Sequence, residues 1–382
     1  MAFAEPLPDM ARLLADPETG GTLIIDLDAV EANWRALAHK LLTVECAAVV
    51  KANAYGLGLE PVTVKLAKAG CKTFFVADIA EARRVRTRAN DATIYVLNGF
   101  SPDAATAFAE LNVQPVINST AELAEWDAFV VGQNWHGGAA IHVDTGMNRL
   151  GISAEEAAAL ALRLQRENHG ISLFMSHLAC AETPDHPLNA HQIRLFRELR
   201  MLYHGVSASL ANSSGIFLGD GAQFDLARPG AALYGINPTP GQPNPMRNVA
   251  ELTGRILQIR NVPSGETVGY GASWTAKRAS RIAVAALGYA DGLLRAASGT
   301  DRKGGGAAIV TGKRCPIVGH ISMDLICIDI TDLGAAAIHR GDVATFIGEG
   351  LPVDEVAASA GTIGYEILVR LGPRCHLAYR GG

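Results

Sequence analysis

Val49-Val50-Lys51-Ala52-Asn53-Ala54-Tyr55-Gly56-Leu57-Gly58 puts a lysine directly after an apolar run and follows it with small residues, an aromatic and two glycines. The run 47–50 has the length and β-branched content of a buried strand. A lysine at the carboxyl end of such a strand, in a tight Gly-rich loop, is placed to form a Schiff base. Only the neutral amine is a nucleophile, so the site has to bring a reference pKa of about 10.4 down towards about 7–8. That is about 4 kcal/mol of environmental work, which a solvated strand-end lysine does not receive. Taken alone, a strand-end lysine such as Lys51 is more often a solvated cap than a catalyst.

Working outward, apolar runs alternate with amphipathic helical patterns over the first 235 or so residues. A strand at 22–27 leads into a helix at 28–41. Strand-like runs then fall at 47–50, 73–76, 94–97, 115–117, 140–143, 173–176, 208–210 and 224–226. Ser101-Pro102 opens one helix, Ser153 and Glu156 form a capping box ahead of another, and Ile193, Phe196 and Leu199 stripe a third that starts near Pro187. Eight strand–helix units define an α/β fold, a (β/α)8 TIM-type barrel. The alternative, an open doubly wound sheet, lacks a GxGxxG turn opening a helix. Four prolines in 237–245 read as a linker. Beyond it, runs at 255–262, 281–287, 307–311, 325–330 and 343–347, with one helix at 354–371, predict a mostly β C-terminal domain. The expected division is a barrel over residues 1–240 and a β-rich domain over 246–382. Whether the earliest strand joins the second domain in space is left open by the sequence.

Barrels carry their chemistry at the carboxyl ends of the strands. There the chain has Lys51 and Tyr55, then Asp144-Thr145-Gly146-Met147-Asn148-Arg149, then His177, then Asn212-Ser213-Ser214-Gly215, and finally Arg228-Pro229-Gly230-Ala231. Each has a plain structural reading: a core histidine, an Asx turn, a helix N-cap, an ion pair. Their coincidence at corresponding strand ends favours a site, with N–H and hydroxyl groups that can cradle a phosphate.

A net charge of −5 with no basic tract argues against nucleic-acid binding. Arg83, Arg84, Arg86 and Arg88 read as the wet face of a helix. Six scattered cysteines form no CxxC pair or disulfide framework, which suits a reducing compartment. No apolar run is long enough to span a bilayer, and residues 1–20 lack the pattern of a signal peptide.

Nine segments then resemble the alanine racemase family, in the family's order: VVKANAYGLG (49–58), VDTGMNRLG (143–151), SHLACAE (176–182), ANSSG (211–215), RPGAALYG (228–235), VGYGASW (268–274), GYADGLLR (288–295), GHISMD (319–324) and TIGYEIL (362–368). The resemblance implies a barrel, a β-rich C-terminal domain and a head-to-tail homodimer with shared sites. It implies interconversion of L- and D-alanine by two bases on pyridoxal 5′-phosphate, held by Lys51 as the internal aldimine. Lys51 would be one base and Tyr270, from the other chain, the opposite one. His177 would support the tyrosine, and Arg228 would face the pyridine nitrogen. Tyr55, Asn212, Ser213, Gly230, Ala231 and Tyr365 would hold the phosphate end of the cofactor. Arg149, Met323, Asp324 and Tyr289 would bind the substrate, with Tyr289, Arg295 and Tyr365 narrowing the entrance. Because arginine keeps its proton, it leaves the ring nitrogen unprotonated and the electron sink weak, which favours proton exchange over side reactions. The resemblance also implies a bacterial cytoplasmic enzyme that supplies D-alanine for cell-wall synthesis.

Two positions depart from the family. His142 stands where many members carry a carbamylated lysine that orients the arginine, so Arg149 must be oriented otherwise: by Asp144, a bound anion or His142 itself. His320 stands where an entrance arginine is common. The competing readings are a racemase of broader specificity, a barrel-type decarboxylase and a non-catalytic pyridoxal-phosphate-binding protein. Arg228 speaks against the decarboxylase, and the presence of the second domain against the binding protein.

Overall fold

The computed structural model describes residues 16 and 18–381, apart from 134, 136, 165–169, 335–337 and 373. Two compact units divide the chain: Val30–Arg247, and residues up to Ala29 together with Asn248–Gly382. The first described strand, β1 (Gly21–Asp26), thus lies in the second of these, and the chain leaves it along helix α1 (Leu27–Leu41). This differs from the division at 240 expected from sequence. The physical reason is that β1 is hydrogen-bonded on both edges by strands of the C-terminal part.

The unit Val30–Arg247 is a parallel barrel. Its strands are β2 (Glu45–Cys46), β3 (Ala48–Val49), β4 (Thr73–Val76), β5 (Thr93–Val96), β6 (Gln114–Ile117), β7 (Ala139–His142), β8 (Ile171–Met175), β9 (Ser207–Ser209) and β10 (Leu226–Ala227). From β3 to β9 they pair in chain order, all parallel. The ring closes through β10, which pairs with β2 and also ties to the end of β9 by Asp225 N–H to Ala208 C=O (3.0 Å) and Arg228 N–H to Ala211 C=O (2.9 Å). Strands covered on both faces read as continuous apolar runs, and β4 buries all four of its residues. The last strand lies later than the expected 224–226. Phe224 takes a positive φ of 53° and packs edge-on against Phe196, so it belongs to the preceding turn.

Helices α2 (Leu59–Ala69), α3 (Ile79–Arg86), α4 (Ala105–Leu111), α5 (Thr120–Gln133), α6 (Ala154–Leu164) and α7 (Pro187–Arg200) fall between strands. Three of them open with the same device. Asp78, Ser119 and Ser153 each accept the N–H three residues on, and the glutamates there, Glu81, Glu122 and Glu156, reach back to the loop that precedes the helix.

The other unit is built on a long strand, β11 (Ala250–Val262). A hairpin follows, β12 (Thr267–Val268) with β13 (Trp274–Thr275). Its base is anchored in a small core of Val262, Val268, Ala276, Ile282 and Val318. Strands β14 (Ser280–Ala285), β15 (Ala307–Val310), β16 (Lys313–Pro316), β17 (Ile326–Asp329), β18 (Val343–Ile347) and β19 (His376–Arg380) complete the mixed sheet. β1 is antiparallel to β11 and parallel to β19. The helix expected at 354–371 is two helices, α8 (Val353–Ala360) and α9 (Gly364–Arg370), parted at Gly361, whose φ of 72° ends the first.

Candidate active site

Lys51 follows β3, and the four residues after it turn left-handed. Ala52, Asn53, Ala54 and Tyr55 all have φ between 53° and 56°. For residues with a Cβ this conformation costs about 1–2 kcal/mol each, less for asparagine, so the turn holds several kcal/mol of strain. Gly56 and Gly58, at φ 86° and 103°, take the chain out of it. Local bonds close the turn: Ala54 N–H to Val50 C=O (2.8 Å), Gly56 N–H to Ala52 C=O (2.8 Å) and Gly58 N–H to Asn53 C=O (2.9 Å). Burial lowers the pKa of the half-buried Lys51, and the Arg149 guanidinium lowers it further; Glu81 acts the other way. This is the direction a nucleophilic amine needs.

Among the other strand-end residues of the barrel, Arg228 brings a buried positive charge. Arg228 is 4% exposed. Its guanidinium donates to the Ser209 hydroxyl and to Ser176 C=O (2.6 Å), and Nη2 lies 3.5 Å from His177 Nδ1. Among the described residues it has no acidic partner. Burial pushes its pKa down to about 9, which leaves it cationic at neutral pH. His177, at the end of β8, is held well below its ordinary pKa by desolvation and then by Arg228, so it is neutral. His142, at the end of β7, is pushed down to about 4, by desolvation first and Arg228 second. Its Nδ1 lies 2.8 Å from Asn118 Oδ1. The Asn118 amide donates to Val116 C=O (2.7 Å), so the oxygen faces the ring and Nδ1 carries the proton.

Asp144 is taken up by its own loop. It accepts from the N–H groups of Gly146, Met147 and Asn148 at 2.8–2.9 Å, the Asx turn expected from sequence. It forms no ion pair with Arg149, which is exposed and makes no hydrogen bond among the described residues. Of the groups considered for orienting Arg149, Asp144 is therefore excluded in this arrangement. Arg149 does sit within electrostatic reach of Lys51, His142 and His177.

Asn212 caps the turn after β9 by accepting Gly215 N–H (2.9 Å). Ser213 Oγ accepts the N–H groups of Gly230 (3.0 Å) and Ala232 (3.2 Å). Tyr55 stacks on Tyr234, ring centroids 4.6 Å apart, and a Cβ on Gly230 would stand 2.3 Å from the Tyr55 hydroxyl. The Tyr55 and Ser213 hydroxyls thus gather beside Gly230, where a side chain would collide with Tyr55, while the Gly230 and Ala232 amides are taken up by Ser213. This donor set fits a phosphate monoester, and the nearby amine fits its aldehyde partner.

Six expected site residues lie in the other unit. Tyr270 stands at the tip of the β12–β13 hairpin between Gly269 and Gly271, both at positive φ, and is 68% exposed. Tyr289 and Met323 are also exposed, and their segments are tied by Tyr289 N–H to Ser322 C=O (3.0 Å) and Ala290 N–H to Met323 C=O (3.1 Å). Asp324 accepts from Arg374 (2.6 Å). Tyr365 lies on α9. Arg295 donates to Ile321 C=O (2.9 Å), and the buried His320 Nδ1 has no hydrogen-bond partner among the described residues.

Several supporting residues are not evident from the motifs. Gln192 on α7 is fully buried and bonds Thr145 Oγ1, His177 C=O and Ala179 N–H. Nothing in its local sequence marks it. Glu81 holds the Lys51 turn, and the signal for it, Asp78-x-x-Glu81, is a readable capping box. Arg84 and Arg86 are not simply a wet face: Arg84 pairs with Glu60, and Arg86 donates to carbonyls at the ends of two helical segments.

Fold and site together define a (β/α)8-barrel enzyme class with a half-buried lysine at a strand end and an added β domain. The chain belongs to the alanine racemase family. Its residues 25–238 match the family's N-terminal domain and 249–379 its C-terminal domain. It is 50% identical to the alanine racemase of Methylobacterium sp. (strain 4-46) over 360 residues, covering 94% of this chain and 98% of the relative. Among solved structures it resembles alanine racemase from Bartonella henselae with covalently bound pyridoxal phosphate (39% identity, TM-score 0.88, 94% of this chain and 99% of that one). It also resembles the biosynthetic alanine racemase of Pseudomonas aeruginosa (33% identity, TM-score 0.88, 95% and 100%).

Proposed function

We propose that this protein interconverts L- and D-alanine with pyridoxal phosphate on Lys51, as a homodimer in which the partner subunit's Tyr270 completes each site. The observation that carries the reading is Arg228, a buried cation held by neutral acceptors at the barrel's strand ends. The cofactor, when bound, supplies a conjugated ring that draws electrons from the substrate Cα and makes its proton acidic. Lys51, its pKa lowered by burial, takes or returns that proton on one face. The Tyr270 oxygen acts on the opposite face, and a neutral His177 can accept its hydroxyl proton in a hydrogen bond. Arg149 binds the substrate carboxylate, and Met323 and Asp324 line that end. Tyr55, Asn212, Ser213, the Gly230 and Ala231 amides and Tyr365 hold the phosphate, while Tyr289 narrows the entrance.

Exposure of Tyr270, Tyr289, Met323 and Ile363 on the β unit supports a covering partner. No helix among the described residues is long and apolar enough to cross a membrane. A cytoplasmic site of action, supplying D-alanine for wall synthesis, fits the family. The test is to incubate the purified protein with pyridoxal phosphate and L-alanine. A racemic mixture is expected, with Lys51→Ala inactive. Release of carbon dioxide would mean a decarboxylase, and equal turnover of serine a broader racemase.

A further inference from the structure

The strained turn after Lys51 is gripped from outside by side chains of the two helices that follow it in the chain, α2 and α3. Glu81 on α3 accepts Asn53 N–H through Oε1 (2.9 Å) and Ala77 N–H through Oε2 (2.9 Å), so one carboxylate joins the lysine's turn to the end of the next strand. Asn53 is held a second time through its side chain. Its Oδ1 accepts Leu59 N–H (3.1 Å) and Arg84 Nη2 (2.7 Å). Arg84 is itself fixed by a two-point pair with Glu60, at 2.6 and 2.7 Å. Asn53 sits in the middle of four left-handed residues, so its amide is where an outside bond best resists relaxation to ordinary backbone.

We propose that Glu81, backed by the Asn53–Arg84–Glu60 bonds, is a positioning residue that keeps the left-handed turn closed and so sets the place of the Lys51 amine. This rests on Lys51 being the cofactor lysine. The same carboxylate-to-loop reach recurs at Glu122, which accepts Asn118 N–H (2.7 Å) and Phe100 N–H, so the barrel uses the device generally. At Glu81 alone it closes on a strained turn that bears the reactive amine.

Glu81→Gln tests it. The amide keeps one acceptor but turns an N–H towards a second N–H donor. Hydrogen exchange of residues 51–58 in the cofactor-loaded protein should quicken about tenfold while the rest of the barrel is unchanged. Release of pyridoxal phosphate to a hydroxylamine scavenger should quicken, and kcat should fall about tenfold or more with KM for alanine within about twofold. Adding Ala52→Gly, which removes a Cβ from a left-handed position, should restore part of kcat and of cofactor retention. Exchange at 51–58 equal to the parent's would overturn the proposal. So would faster exchange with kcat and release unchanged, or an absence of rescue by Ala52→Gly. Borohydride trapping of the cofactor on Lys51 in the same sample answers separately for the reading beneath: trapping elsewhere sinks that reading, while exchange still judges the grip of Glu81.

Discussion

Arg228 brings a full charge among neutral acceptors, and its fork serves the Ser176 carbonyl and the Ser209 hydroxyl together. Lysine keeps the charge but loses the fork, so Arg228→Lys should cost about 1–3 kcal/mol of stability and about tenfold or more in kcat. Urea unfolding and steady-state kinetics would measure the two. His142 makes a separate prediction. Unfolded, it titrates near 6.5; folded, at about 4. Between those values the unfolded chain holds a proton that the folded chain refuses, so acid favours unfolding. Its contribution is intact above about pH 6.5 and is lost as pH falls towards 4, roughly 3 kcal/mol in all. His142→Gln, which does not titrate, should show a shallower loss of stability over that window. An unchanged slope would contradict the shift.

Among the elements, α3 separates two readings of the same arginines. Arg86 donates to the carbonyls of Leu111 (2.8 Å), Asn112 (2.7 Å), Asn90 (2.6 Å) and Ala92 (2.8 Å). Arg83 and Arg88 are exposed. Arg86→Leu should therefore destabilise by about 3 kcal/mol, and Arg83→Ala by less than about 0.5 kcal/mol. Paired urea titrations would tell them apart. Helix entries were legible where a side chain bonds its own neighbours, as at Ser153 and Glu156. Arg86 was not legible, because its partners lie on carbonyls up to 26 residues away and carbonyls leave no mark in a sequence. The left-handed turn was half legible. Two glycines announced a tight loop, but nothing in Ala-Asn-Ala-Tyr prescribes φ near 55°; the bonds that hold Asn53 from outside come from Glu81 and Arg84 on α3.

Over the whole molecule, the barrel was readable because parallel strands buried on both faces must be apolar throughout, and each ends in polar residues where chemistry can sit. β1 was readable as a strand but not by allegiance. Its partners β11 and β19 lie more than 200 residues on, and short alternation cannot name a distant edge. For the same reason the sequence places Lys51 and Tyr270 in different units without saying which copy of each meets. The proposed shared site has a direct consequence. A mixture of Lys51→Ala and Tyr270→Phe subunits, each inactive alone, should regain about a quarter of parental activity after exchange, since half the dimers are mixed and one of their two sites is intact. No regain on mixing would contradict sharing between subunits.

The central claim is proton removal on one face of the substrate Cα and return on the other. It is tested most directly in deuterium oxide, by following the Cα proton signal and the optical rotation of L-alanine together, for the parent and for Tyr270→Phe. The account predicts that the parent loses both at once. It predicts that Tyr270→Phe exchanges the Cα proton of only one enantiomer and leaves its rotation unchanged. Loss of rotation without solvent deuterium at Cα, or a Tyr270→Phe variant that racemises like the parent, would contradict it.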